Sequence, residues 1–347
     1  RAAAAAPASG YSPAPMPQHR RALATGTLFA LAAGLVWGLV FVAPTLLGEY
    51  PAVLLTMGRY LAFGLIALPL AWWDRDRLAE LTRADWVEAA KLSLVGNVLY
   101  YLCLAAAIQR AGGPLPTMVI GTLPVVIAVA ANLRGGAAGV AREGRLPWLR
   151  LLPPLVLLAA GLACVNQAEI SQLPAGTDLP RYALGALLAV AAVACWTWYP
   201  LRNAEWLRAH ADRSPRAWAT AQGLTTLPMA AAGYALFWLW AAAGGAGTAG
   251  FAMPFGPQPL KFIGLMLAIG LLASWLGTLC WNEASQRLPT ALVGQLIVFE
   301  TLAAMAYAYL LRAQWPGWVT GAGVVLLIAG VVTALRVRPL PHGAGAS

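Results

Sequence analysis

Two charged side chains stand inside long apolar stretches of this chain: Arg59 in "TMGRYLAFG" and Glu300 in "IVFETLAA". Ionised groups are costly at that depth in a bilayer, so they mark a substrate or proton site or are held by a structural partner. For both residues the two readings stand open: contact with a substrate or a proton, or a tie to each other or to backbone carbonyls. Amphipathic residues recur nearby at helical spacing. Trp37, Phe41 and Pro44 share one face, as do Asn97, Tyr100 and Tyr101, then Trp196 and Tyr199, and then Trp275 and Asn282. Thr122 and Gln295 hold corresponding places in a repeated motif. Aromatic rings beside amides and hydroxyls can line a cavity that accepts an amino acid; helix packing is the competing reading of each. The substrate-binding candidates are Trp37, Asn97, Tyr100, Tyr101, Thr122, Trp196, Tyr199, Trp275 and Gln295.

Other chemistries lack their residues. A membrane enzyme needs a paired acid and base, an activated nucleophile or a metal cluster. No HExxH or GxSxG pattern occurs, nor a pair of deep carboxylates. Cys103, Cys164, Cys195 and Cys280 lie in apolar stretches without metal or redox spacing and read as small packing residues. His19, His210 and His342 fall outside those stretches, so no buried histidine relay is available. No cofactor and no metal is expected. A receptor or scaffold remains a competing class, separable from a carrier by solute flux.

The elements that must position these residues follow from composition. Of 347 residues 60% are hydrophobic and 10% charged, whereas a soluble domain carries roughly a quarter charged residues. Ten largely uncharged segments are each long enough to cross a bilayer as a helix: 25–47, 52–73, 87–108, 115–133, 149–167, 182–201, 217–243, 261–282, 290–311 and 316–336. They are numbered 1 to 10 below. With both termini cytoplasmic, 18 of the 23 Lys and Arg fall on the cytoplasmic side, four on the other, and Arg59 remains inside segment 2. That is the bias the positive-inside rule expects of a multi-pass membrane protein; a bacterial inner (plasma) membrane is the expected location. The bias also accounts for the net charge of +10: the lipid bilayer is the expected partner, and no clustered basic face invites nucleic acid. Of the 15 Trp, nine sit at segment ends as expected interfacial anchors: Trp72, Trp73, Trp86, Trp148, Trp206, Trp238, Trp240, Trp315 and Trp318.

The chain repeats itself. "LPTMVIGTL" (115–123) opens segment 4 and "LPTALVGQL" (288–296) opens segment 9; "LLAAG" (157–161) in segment 5 is echoed by "LLIAG" (326–330) in segment 10. Trp37 in segment 1 and Trp196 in segment 6 follow similar small-residue runs. An odd number of segments per half inserts the second half upside down, which makes two five-helix inverted repeats with a site near the midplane. The expected organisation is an N-terminal arm at 1–22, a first repeat at 23–167, a connecting loop at 168–181, a second repeat at 182–337 and a tail at 338–347. Gly121, Pro124 and Gly294 are expected hinge points.

At residues 22–337 the chain resembles the drug/metabolite transporter superfamily, EamA type. The likeness rests on Trp37-Gly38 with Phe41, on Pro51 followed by Arg59, on "TLPVV" (122–126) and on glycine-rich fifth and tenth segments. It departs at Glu300-Thr301, where the family often has proline, and at Gly135-Gly136 and Arg312-Ala313, where it often has Gly-Glu. The resemblance implies an all-α secondary transporter, with an arginine like Arg59 serving many members structurally. Segment 1 has no carboxylate for a drug cation, and Arg59 alone is too little charge for a sugar phosphate. A neutral or zwitterionic substrate fits better. In architecture and chemistry the profile is similar to the YddG-like exporters of aromatic amino acids. A monomer working by alternating access is expected, its cavity formed by segments 1, 3, 4, 6, 8 and 9. Another metabolite or drug is the alternative cargo.

Overall fold

The structure is a computed structural model describing residues 16–133, 148–171, 178–245, 251–288, 296–313 and 315–336. Among the described residues every regular element is helical. Segment 1 comprises helix Met16–Gly38, a 3-10 turn Leu39–Phe41 and helix Val42–Leu46; segment 2 is Ala52–Trp73. Segment 3 runs from Arg83 to Ala111 through a π-helical stretch, Ser93–Leu99, and segment 8 from Pro259 to Arg287 through a second one, Gly270–Leu276. Segment 4 is broken into Pro114–Ile120 and Leu123–Leu133. Segments 5, 6, 7 and 10 are Trp148–Ser171, Leu179–Ala209, Pro215–Ala242 and Trp318–Arg336; segment 9 contains helix Val298–Arg312. Six of these are long and apolar enough to cross a membrane, and four shorter apolar helices lie in segments 4, 5, 9 and 10, compatible with ten crossings. Three helix ends differ from expectation. The first helix already begins at Met16, inside the expected arm, and helices reach Ser171 and resume at Leu179, inside the expected 168–181 loop.

The helix starts are written locally. Thr82 and Asp85 form a reciprocal capping box that opens segment 3. Asp178 caps segment 6, and Ser214 caps segment 7 ahead of Pro215 at the first helical position. Gly112 closes segment 3 at φ 80°, a conformation that excludes most other residues. In the first copy of the repeated motif Thr117 donates its hydroxyl to the Gly113 carbonyl at 2.8 Å, satisfying backbone as expected. The helix then breaks at Gly121–Thr122, where the Thr122 hydroxyl caps the Val119 carbonyl at 2.7 Å. Gly294 and Gln295 of the second copy lie outside the described residues.

Packing follows the internal repeat. Segment 2 lies against 7 and segment 5 against 10; 3 packs on 6 as 8 packs on 1, and 1 on 9 as 6 on 4. Each contact recurs when a segment is exchanged for its counterpart in the other half, the pattern expected around a pseudo-two-fold axis. Single atoms obey the same exchange. Gly161 in "LLAAG" faces Leu327 and the Gly323 carbonyl, while Gly330 in "LLIAG" faces Leu158. Likewise Gly64 meets Leu227, and Gly223 meets Ala67. Without a hydrophobic drive between helices in lipid, such small residues permit the close approach that holds the bundle.

Trp72, Trp73, Trp238, Trp240, Trp315 and Trp318 are exposed at segment ends, where interfacial anchors belong. Trp206 corrects the expectation. It is buried because its indole N–H donates to Asp85 Oδ1 at 2.8 Å and its ring stacks on Trp218, centroids 3.5 Å apart.

A Cβ at Gly161 would lie 2.8 Å from the Gly323 carbonyl oxygen, which is backbone and cannot step aside. Gly161→Ala is therefore expected to destabilise by about 1–3 kcal/mol, read as a lower thermal unfolding midpoint in detergent. Gly264→Ala, inside a helix and with nothing within 4 Å, is expected to keep or slightly raise the midpoint through helix propensity; equal midpoints for both variants would refute this account of the packing.

Candidate functional site

A narrow cavity lies between the two halves. Its wall takes Trp37 and Val40 from segment 1, Arg59 and Tyr60 from segment 2, and Gly96, Asn97 and Tyr100 from segment 3. The second half contributes Trp196 from segment 6, Ala273, Ser274 and Thr278 from segment 8, and Glu300 from segment 9. The space open to the centre of a water molecule is about 10 Å³, room for about one water.

Both π-helical stretches reach this wall, through Gly96 and Asn97 in one and Ala273 and Ser274 in the other. π-turns are uncommon and concentrate at functional sites. Here the wide turn sets Ser274: its hydroxyl donates to the Ile269 carbonyl five residues back at 3.3 Å and accepts from Arg59 Nε at 2.9 Å. The Arg59 guanidinium carbon also sits 4.3 Å from the Tyr101 ring centroid and 5.0 Å from that of Tyr60, so two aromatic faces stabilise the buried cation. The Tyr101 hydroxyl in turn donates to the Val40 carbonyl at 3.2 Å, fixing the turn that ends the long helix of segment 1.

Trp196 is the centre of the aromatic wall. It stacks between Tyr100 and Tyr199, both at 4.8 Å, and meets the edge of its repeat counterpart Trp37 at 5.1 Å. Gly96 gives Tyr199 its place, since any Cβ there would strike the ring.

Four residues of this one wall carry buried polar atoms without a hydrogen-bond partner: Arg59 Nη1, Tyr100 OH, Trp196 Nε1 and Glu300 Oε2. Native interiors satisfy nearly all such groups, and an exception calls for a ligand, water or ion. Glu300 is 1% exposed and Arg59 4%, and no ion pair within 4.0 Å joins Glu300 to any described residue.

Of the candidates read from sequence, Trp37, Asn97, Tyr100, Trp196, Arg59 and Glu300 line the cavity. Tyr101 and Tyr199 stand behind it, supporting Arg59 and Trp196. Trp275 faces segment 7 instead, where its indole N–H donates to Thr220 Oγ1 at 3.3 Å. Asn282 belongs to a buried amide cluster, accepting from Asn203 Nδ2 at 2.9 Å. Thr122, Gly121 and Pro124 lie at the break in segment 4, outside the wall, and Gly121 packs against Thr301. Segment 2 thus takes the place in the wall that was expected for segment 4. Tyr60, Ser274 and Thr278 were missed; a lone hydroxyl in an apolar run carries no signal of its own.

The two ends of the molecule differ. At the end bearing the 2–3 and 6–7 connections, Asp74 pairs with Arg216, Glu80 with Arg213 and Glu88 with Arg202, each joining the first half to the second. At the other end an open hollow of about 550 Å³ lies among Pro44, Gly48, Gln109, Arg110 and Arg181.

Known proteins agree with this architecture. Residues 24–137 match the EamA-like transporter family. The chain is 54% identical over 317 residues to the inner membrane protein YtfF of Escherichia coli (strain K12), covering 91% of this chain and 96% of that one. A solved crystal structure 18% identical in sequence superposes with a TM-score of 0.64 over 92% of this chain and all of the other, a likeness of fold. With the relative matched nearly end to end, the chain belongs to the EamA-like transporters of the drug/metabolite transporter superfamily.

Proposed function

We propose that this transporter is a multi-pass inner-membrane exporter of small zwitterionic metabolites, amino acids with aromatic or large apolar side chains above all, working by alternating access. The observation that carries the reading is the set of unpartnered polar atoms in one wall. Arg59 Nη1 and Trp196 Nε1 are donors for a carboxylate. Glu300 Oε2 is an acceptor for an ammonium, and the Tyr100 hydroxyl can serve either. A zwitterion brings one group of each kind, so bound substrate would satisfy buried groups that otherwise stand unpaired. The rings of Trp37, Tyr100 and Trp196 supply the apolar remainder. The cavity lies within a single chain, so the reading needs no second copy.

The contact pattern supports alternation. Halves related by exchange can rock about a shared cavity, opening first one end and then the other. The break at Gly121–Thr122 and Pro124 just beyond it give segment 4 the compliance such rocking requires.

Flux of a panel of labelled amino acids through purified protein in liposomes tests the substrate class. Trp196→Phe keeps an aromatic ring in the stack and removes the indole donor together with part of the ring face. It is expected to raise the half-saturating concentration about tenfold or more, because a hydrogen bond to a charged group is worth about 1.5–3 kcal/mol. Arg59→Lys keeps the charge and loses the planar fork, and a loss of at least similar size is expected. Unchanged half-saturation in both variants would move the substrate elsewhere.

A further inference from the structure

We infer that the cavity exchanges its amino acid for a proton, and that Glu300 is the group on which the two compete. The inference rests on the zwitterion reading above and adds the coupling ion.

Glu300 is 1% exposed, and its Oε2 finds no donor among the described residues. Arg59 faces the same cavity but already gives Nε to Ser274. It lies beyond the 4.0 Å of an ion pair with Glu300. Around Glu300 the wall presents Arg59 and Tyr60 from segment 2 and Tyr100 from segment 3; the wall residues from segments 1, 6 and 8 carry no ionisable side chain. Segment 4, which packs on segment 9 through Gly121, adds none at that contact. A carboxylate held there, in a space for about one water, would have no ion-pair partner and only the charge of Arg59 across the cavity to offset its cost in a bilayer.

Two occupants remove that cost. A bound ammonium pairs with the carboxylate, and in its absence a proton neutralises it. When a zwitterion enters the open cavity, the carboxyl O–H bond breaks and the proton passes to water on the open side. The carboxylate then accepts from the ammonium, while Arg59 takes the substrate carboxylate. When the amino acid leaves on the other side, a proton from that side re-forms the O–H bond and the empty cavity can close. Each cycle moves one amino acid one way and one proton the other, and so carries one positive charge.

The repeat shows that this chemistry is no by-product of helix packing. The counterpart of Glu300, at the offset that separates the two "LPT" motifs, is Ile127. The counterpart of Arg59, at the offset between Trp37 and Trp196 and between Gly64 and Gly223, is Trp218. Both are uncharged, so the symmetric scaffold stands in the other half without either charge.

Two measurements on the full chain test the exchange. In weakly buffered detergent solution near neutral pH, addition of L-phenylalanine to the wild-type protein is expected to release one proton per molecule bound, read with a pH dye. Tryptophan fluorescence quenching reports the binding itself. In liposomes with the membrane potential clamped, a lumen one pH unit more acidic than the outside is expected to drive labelled L-phenylalanine inward to about a tenfold excess. In Glu300→Gln any remaining flux is expected to be the same with and without the gradient. Binding and downhill flux without proton release, with no uphill accumulation, would overturn proton exchange and leave the transporter reading standing. Gradient-driven accumulation that persists in Glu300→Gln would remove Glu300 from the coupling. Neither binding nor flux of any amino acid in the panel would overturn the substrate reading, and this inference with it.

Discussion

Two ionisable side chains of opposite type, Arg59 and Glu300, are buried in one small cavity and kept from closing on each other. A direct ion pair between them would neutralise both and leave nothing for a third party. The separation is held by irregular backbone. Ser274 reaches Arg59 from a π-turn, Tyr101 stacks on the guanidinium while tying itself to the turn at Val40, and Glu300 stands in the first turn of a helix that begins after Ile297. Departures from α-helical geometry at membrane depth are tolerated where they are buried in protein or line a cavity. Here they cluster at the wall, and the regular helices around them carry the bundle.

The duplicated architecture and the single-copy chemistry divide the labour. Glycines such as Gly161 and Gly330 maintain the same helix contact twice, once in each half. Trp218, standing where Arg59 stands in the other half, gives its indole N–H to Asn203 at 2.8 Å and so joins the amide cluster with Asn282 and Gln222. One copy of that position builds a polar lock between segments 6, 7 and 8; the other builds the candidate site.

The legible part of the sequence was what rarity or repetition makes conspicuous. Arg59 and Glu300 stood out because apolar segments almost never carry charge. The glycine echoes and the Trp37–Trp196 correspondence were visible because the chain repeats them, and the two rings do meet. Trp275 and Asn282 share a face of segment 8, as the spacing predicts, and both reach segment 7, Trp275 at Thr220 and Asn282 at the Pro215 carbonyl; which neighbour that face meets is decided by the fold and not by the spacing. Trp206 looked like an interfacial anchor because it lies near a helix end; only the fold brings Asp85 to it. Asp74, Glu80 and Glu88 gave no signal, since a carboxylate beside a connection resembles any solvated charge until its arginine arrives from the other half.

The size of the cavity has a thermodynamic consequence. A space for about one water cannot contain an amino acid, so a ligand meets walls that must first part. The free energy of that parting is subtracted from whatever the wall contacts contribute, and the apparent affinity falls by the rarity of the expanded state. Groups that never touch the ligand then enter its dissociation constant. Asp74 and Arg216, at the end bearing the 2–3 and 6–7 connections, hold the halves together and so weigh against expansion. On the proposed reading, binding strength is set jointly by the wall and by the distant ion pairs that join the halves.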